Sequence, residues 1–276
     1  YAARAGWPGQ LLGAGLLWAR EARTLLAFER AAARDYDHTL FVSRDEAATF
    51  AALAPDSAGR IGWRDNGVDF SAFAPAHAGA SPYPEGGPYA VFTGTMDYRP
   101  NIDAVAWFAD AVLPLIRQRH PALRFAIVGA NPAPAVRRLG ARPGILVTGR
   151  VADTRPYLAH AALAVAPLRL ARGTQNKVLE ALAMARPVVA TPEAFAGLRA
   201  VPGRDLLVGA DAASLAAHAG DVLAGRHPGL GAAGRALVQR DYAWDRTLAG
   251  LERLFESGGG CDKAPPHDGV APGVIR

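Results

Sequence analysis

From Tyr89 onward, short apolar runs alternate with longer stretches of helical period. YAVFTG (89–94), LRFAIVG (123–129) and ILVTG (145–149) each end on a glycine, and ALAVAPL (162–168), PVVAT (187–191) and DLLVG (205–209) continue the series. Between them, residues 101–119, 134–140, 154–160, 175–185 and 211–224 read as helices. In the first of these, Ile102, Val105, Phe108, Val112, Leu115 and Ile116 form the inward stripe, and Asn101 stands at the N-cap position. Two further helices, 229–240 and 244–256, close the series. Strands that are apolar on both faces and separated by helices predict a parallel sheet covered on both sides. Right-handed crossovers then make it a doubly wound, Rossmann-like α/β domain. Ligands of such sheets bind beyond the carboxyl ends of the strands, where Gly94, Gly129, Gly149 and the loop after Pro167 fall.

The first part of the chain patterns differently. Residues 16–34 carry Leu17, Leu25, Phe28 and Ala32 at helical spacing and predict an amphipathic helix. HTLFVS (38–43) is a short β-type run, followed by Ser43 with Glu46 three residues on, a capping box for a helix over 44–53. Residues 60–63 predict another short strand, and DNGVDFSAF (65–73) carries Asn-Gly turn chemistry. The Pro-, Gly-, Ala- and Ser-rich stretch 75–88 has linker composition, which places a domain boundary at 84/85. The Gly-rich stretch 257–276 is expected to be disordered.

Composition narrows the function classes. A net charge of +5 favours anionic partners, but no basic run is interleaved with aromatics, which argues against nucleic acid. The single cysteine, Cys261, excludes an internal disulfide and suits a reducing compartment. The apolar run at 11–18 is too short to span a bilayer and no signal peptide opens the chain, so a cytoplasmic location is expected. Trp7, Leu11, Leu12, Leu16, Leu17 and Trp18 are apolar with Arg nearby and allow a peripheral contact with the inner face of a membrane, but packing against further protein is the preferred reading. No His/Cys cluster has metal-ligand spacing, and Asp35-Tyr36-Asp37, although two carboxylates one residue apart, stands before a strand outside the 89–224 alternation. No G-x-G-x-x-G follows residues 89–94, and no G-x-S-x-G is present.

The most informative stretch is APLRLARGTQNKVLEALAMARPVVAT (166–191). A strand ends at Pro167, an irregular loop carries Arg172, Gly173 and Thr174, and a helix begins near Gln175–Asn176. Open N–H groups at a helix start favour a phosphate, and Lys177 adds a point charge in the first turn. Glu180 follows one turn later, where a carboxylate can accept two hydroxyl hydrogen bonds from a ribose.

These residues resemble the retaining glycosyltransferases of family 4, where the segment NKxLEAMAxGxPVVA carries the second Glu of an E-x7-E pattern. Here it reads NKVLEALAMARPVVA, and Glu180 matches that Glu. SRDEAATF (43–50), DNGVDFSAFAP (65–75) and TGTMDYRPNIDAVAWF (93–108) also resemble the family, so the likeness covers roughly residues 35–255. The wording is most similar to the sugar transferases of bacterial PEP-CTERM and exopolysaccharide systems. The resemblance implies a GT-B fold: one complete Rossmann-like domain, 85–256, and the C-terminal part of a second, 1–84, with the natural start missing. It implies a nucleoside diphosphate sugar as donor substrate, a glycan or lipid-linked acceptor, no cofactor and no metal. Glu180, Lys177 and Arg172 take the catalytic roles. Gly94, Thr95, Met96, Arg150, Val151, Gly173, Thr174, Asn176, Val178 and Leu179 surround the donor.

Two departures stand out. Arg172 occupies the place of the first Glu, near the transferred sugar, and Gly94 is followed by Thr95 and Met96 where the family often has Gly-Arg with a Lys a few residues later, leaving Arg99, Arg172 and Lys177 as local cations. With the front of its first domain missing, this chain is expected to bind nucleotide but turn over little or nothing alone. A nucleotide-sugar epimerase of similar fold and a non-catalytic nucleotide-binding module remain open as other readings.

Overall fold

The computed structural model describes residues 12–171, 173–251 and 254. The described residues divide into two compact units, one from the part of the chain before residue 65 together with 250, 251 and 254, and one from residues 65–249.

In the first unit, α1 (Leu12–Asp35) leads to β1 (Thr39–Phe41), α2 (Arg44–Leu53) and β2 (Ile61–Trp63). The two strands pair in parallel, Leu40 opposite Gly62. Half of the expected capping box forms: Ser43 Oγ accepts from the Glu46 N–H, but the Glu46 carboxylate accepts from the Ser43 hydroxyl in place of its backbone N–H, both at 3.3 Å. A small core of Ala33, Phe50 and Ala54 is joined by Leu26, Phe41 and Ile61. The stripe read from the sequence lies on the other side of α1: Leu17 and Phe28 are 62% and 70% exposed, because Leu26 and Ala33 make the inward face. Asp35 ends α1 and Tyr36-Asp37 turn toward β1. No helix among the described residues is long and apolar enough to cross a membrane.

The second unit is built on six parallel strands: β3 (Tyr89–Thr93), β4 (Arg124–Val128), β5 (Ile145–Gly149), β6 (Leu163–Ala166), β7 (Val188–Ala190) and β8 (Leu207–Val208). Their order is β5-β4-β3-β6-β7-β8, the doubly wound arrangement that the alternation predicts. Every residue of β3, β6 and β7 is buried, which is why these strands read as unbroken apolar runs. One layer of helices comprises α3 (Arg99–Trp107), α4 (Leu113–Arg117), α5 (Pro134–Leu139) and α9 (Ala212–Leu223). In another, α7 (Asn176–Ala183) packs on α10 (Leu230–Asp241), while α6 (Arg155–His160) joins β5 to β6.

Four local features differ from the sequence reading. The helix expected over 101–119 is interrupted by a wider π turn, Phe108–Val112, where the Leu113 N–H reaches Phe108 O. Pro114 has no N–H and its ring crowds the carbonyl four residues back, so the helix cannot run through in one register. A short helix, α8 (Pro192–Phe195), follows β7, with the Thr191 hydroxyl as its cap. The expected helix 244–256 is broken after α11 (Trp244–Thr247) by a turn over 248–251, Leu254 is again helical, and residues 252, 253, 255, 256 and the stretch 257–276 lie outside the described residues. Asn101 is not a cap, since Tyr98 takes the N-cap position of α3.

The C-terminus of α7 closes with two reverse hydrogen bonds, Ala185 N–H to Leu182 O at 2.9 Å and Arg186 N–H to Ala181 O at 3.0 Å. This closure puts one residue in the left-handed region, and that residue is Ala185, with φ 54°.

Candidate functional site

The strand order reverses between β3 and β6, and two loops emerge there at the carboxyl edge of the sheet. The loop after β3 is held by its backbone. The Gly94 N–H donates to Val128 O, the Met96 N–H to Ala130 O and the Ala133 N–H to Met96 O, at 2.8–3.1 Å. These bonds lace it to the loop after β4, an approach so close that a Cβ on Gly129 would stand 1.8 Å from Gly94 O. The Met96 side chain fills the core beneath, and Thr95 is exposed at the tip.

The second loop runs from β6 to α7. Its start is fixed by the Thr191 hydroxyl, which donates to Leu168 O at 2.6 Å. Next, Arg169 grips Asp103 of α3 with two nitrogens, Nε to Oδ2 at 3.0 Å, and lies 5.2 Å over the Trp107 ring. Gly173 turns the chain with φ 66°, Thr174 is buried, and Gln175 Nε2 donates to Gly173 O at 3.2 Å. Gln175 precedes α7 in extended conformation, and its own side chain makes no cap hydrogen bond to the helix start. Arg172 lies outside the described residues.

Five of the eight residues of α7 are buried, Val178 and Leu179 among them, so these two present their side chains to the core. The remaining face carries Asn176, Lys177 and Glu180. The Lys177 ammonium donates to Asn101 Oδ1 at 2.6 Å and stands 4.5 Å above the Phe92 ring. Asn101 is itself buried in the first turn of α3, and its amide donates to Thr95 O at 2.9 Å. Gly94 closes this cluster: a Cβ there would lie 2.8 Å from Asn101 Nδ2 and 3.4 Å from Lys177 Nζ.

Burial pulls the Lys177 ammonium down to about 8, opposed by the Glu180 charge. It pushes the Glu180 carboxyl up to about 7, opposed by Lys177. The crevice is therefore poorly solvated, and each charged form lacks part of the stabilisation that water would give it. A cation and a carboxylate one helical turn apart suit a ligand with an anion at one end and hydroxyls at the other.

Of the other residues singled out from the sequence, exposed Arg150 and half-buried Val151 follow β5, on the same edge but two strands from β3. Exposed Arg99 opens α3. Among the described residues no group of His, Cys, Asp or Glu stands together that could hold a metal ion.

Two residues of the site were not read from the sequence. Asn101 heads the stripe of Val105, Phe108 and Val112, a spacing that points it at the sheet and away from a solvent-facing cap. Asn66, read only as a turn residue, donates from its amide to Asn176 Oδ1 at 3.1 Å and ties segment 65–68 to the start of α7.

The family described as glycosyl transferases group 1 matches residues 87–224, half of the chain. Among solved structures, a sucrose-phosphate synthase from Thermosynechococcus elongatus is similar with a TM-score of 0.68 and 21% identity over 85% of this chain. A glycosyltransferase from Rickettsia africae is similar with a TM-score of 0.65 and 14% identity over 80%. The Anabaena HepE protein in complex with UDP-glucose is similar with a TM-score of 0.63 and 13% identity over 85%. The chain spans 61%, 63% and 68% of these three in turn. The likeness carries the fold, the Rossmann-like α/β architecture of GT-B proteins. No curated relative matches the sequence.

Proposed function

We propose, from the premise that the chain belongs to the glycosyl transferases group 1 family, that it binds a nucleoside diphosphate sugar and serves transfer of the sugar to a hydroxyl acceptor. The observation that carries this reading is the placement of Lys177 and Glu180 on one face of α7, beyond the carboxyl ends of β3 and β6. Glu180 accepts hydrogen bonds from the ribose hydroxyls. Lys177, with the N–H groups at the start of α7, takes the diphosphate.

In the transfer, the bond from the sugar C1 to the diphosphate oxygen breaks and its electron pair leaves with the diphosphate. The acceptor hydroxyl oxygen bonds to C1, and its proton passes to the departing phosphate. Negative charge therefore grows on the phosphate in the transition state, and cationic and N–H donors already in place stabilise it without reorganising. Arg172 is the further cation for this end. Thr95, Arg150 and Val151 extend the donor surface, Val151 and its neighbours toward the base. The family 4 resemblance supports transfer with retention of configuration. The likeness to exopolysaccharide transferases supports a glycan or lipid-linked acceptor. That HepE binds UDP-glucose supports UDP as the first nucleotide to try.

The test is calorimetry of UDP and GDP with the wild-type chain and with Glu180→Ala. One of the two nucleotides is expected to bind wild type, and the variant to bind it at least roughly tenfold more weakly, the loss of one charge-assisted hydrogen bond or more. Absence of binding to wild type, or equal binding by both proteins, overturns the reading.

A further inference from the structure

Of the 30 Lys and Arg residues in the chain, only Lys177 and Lys263 are lysines. A chain that otherwise uses arginine has a lysine at the edge of its sheet, and the surroundings of that lysine explain why. The ammonium is enclosed by three groups at once: Asn101 Oδ1 at 2.6 Å, the Phe92 ring at 4.5 Å and the Gly94 backbone turn. An ammonium is compact and donates in three directions, whereas a guanidinium is a wide planar fork. The ammonium occupies the space that Gly94 leaves by lacking a Cβ, since a Cβ there would stand 3.4 Å from Lys177 Nζ.

We propose that Asn101 is the positioning residue of the phosphate end of this site, holding the Lys177 ammonium against the Gly94 turn, and that the enclosure requires lysine at position 177. This rests on the nucleotide reading above. Asn101 is suited to the role because both ends of its amide are engaged. Nδ2 donates to Thr95 O at 2.9 Å, which fixes the flip so that Oδ1 is the atom facing Lys177. One side chain therefore couples the loop after β3 to α7, 76 residues further on. The site is set before a ligand arrives, and the ammonium does not have to be ordered on binding. Glu180, on α7 itself, is the titratable group acting on the ammonium. The facing parts of β3 and α3 contribute Phe92, Gly94 and Asn101, none of which titrates.

Two measurements on the whole chain test the proposal. The first needs no nucleotide: competitive acylation of lysine amines from about pH 6 to about pH 10, read by mass spectrometry with Lys263 as the dose reference. Asn101→Asp keeps an oxygen facing Lys177 and adds a charge, so the Lys177 labelling midpoint is expected to rise by about one pH unit or more. The second compares UDP with uridine in calorimetry. Asn101→Ala and Lys177→Arg are each expected to weaken UDP roughly tenfold while changing uridine affinity less than about threefold. Retained uridine binding shows that a variant is folded, and Asn101→Ser serves where Asn101→Ala is not. An unmoved midpoint overturns the proposal, as does a UDP affinity unchanged in Asn101→Ala, lost in parallel with uridine, or fully retained in Lys177→Arg. Failure of wild type to bind UDP sinks the nucleotide reading instead, and the labelling midpoint still decides the contact.

Discussion

Nucleotide affinity is expected to follow a narrow bell in pH, with its two sides set by Glu180 and Lys177. Glu180 must be ionised to accept from ribose hydroxyls, and burial raises its pKa to about 7. Lys177 must be protonated to hold phosphate, and burial lowers its pKa to about 8. Midway, near pH 7.5, each group is in its useful form about three-quarters of the time, so a little over half of the molecules are fully competent. One pH unit below the lower value, affinity falls roughly tenfold, and it falls by a similar factor one unit above the upper value. The assay is UDP calorimetry from about pH 5.5 to about pH 9.5 on wild type, Glu180→Gln and Lys177→Met. Comparing the three cancels the titration of the nucleotide's own terminal phosphate near pH 6. The acid limb is expected to vanish in Glu180→Gln and the alkaline limb in Lys177→Met. A flat wild-type profile, or two limbs that persist in both variants, refutes the assignment.

Three other outcomes are expected. Burial holds the folded-state pKa of Glu180 above its ordinary 4.5, so the stability it contributes is complete below that value and lost as pH rises through about 7. Glu180→Gln should therefore have a higher Tm than wild type at about pH 8 despite weaker nucleotide binding, and a lower Tm counts against the burial argument. Ala185→Gly should relieve a left-handed alanine, for which roughly 1–2 kcal/mol of strain is expected, less about 0.4–1 kcal/mol for glycine's greater unfolded-state freedom. The net gain of up to about 1.6 kcal/mol should appear as a higher urea midpoint with an unchanged slope. Arg169→Ala, which releases the loop before α7 from Asp103, should weaken UDP several-fold and leave Tm within about two degrees, because the pair is partly exposed. A large drop in Tm would assign Arg169 to stability in place of loop placement.

How much could be read from sequence follows from where each interaction lives. The central strands were legible because a strand buried on both faces needs apolar residues at nearly every position, and residues 89–92 of β3, 125–128 of β4, and all of β6 and β7 meet that demand, while β5 and β8 are only partly buried. The Ser43 cap on the Glu46 N–H was legible because both partners stand within one turn. Asn101 and Lys177 are 76 residues apart, and their bond exists only because strand order places α3 and α7 at one sheet edge. The left-handed Ala185 follows from how α7 closes, and nothing in the residue type announces it, since alanine is a helix former. The exposed Leu17 and Phe28 show the converse limit: periodicity marks an apolar face of α1 but does not say whether the described residues cover it.

The electrostatics of the crevice bear on what it is built to receive. In a site that served only stability, a buried lysine and glutamate would meet, since direct pairing offsets the desolvation of both. Here they do not pair: Lys177 turns to Asn101 and Phe92, and no ion pair joins it to Glu180 among the described residues. Each is displaced toward its neutral form, one upward and one downward, and both displacements have burial as their largest cause. A ligand that brings negative charge to Lys177 and hydroxyl donors to Glu180 would return both groups to their charged forms and gain from doing so. A nucleoside diphosphate has its phosphates and its ribose hydroxyls on opposite sides of one sugar ring, which is the separation such a site needs. An inorganic anion answers the lysine alone and a neutral sugar the carboxylate alone. Inorganic pyrophosphate and uridine should therefore each bind far more weakly than UDP, and their affinities multiplied should fall short of the UDP value, because only the joined ligand recovers both displaced charges at a single association cost. If either half alone binds as tightly as UDP, the two groups do not serve one ligand.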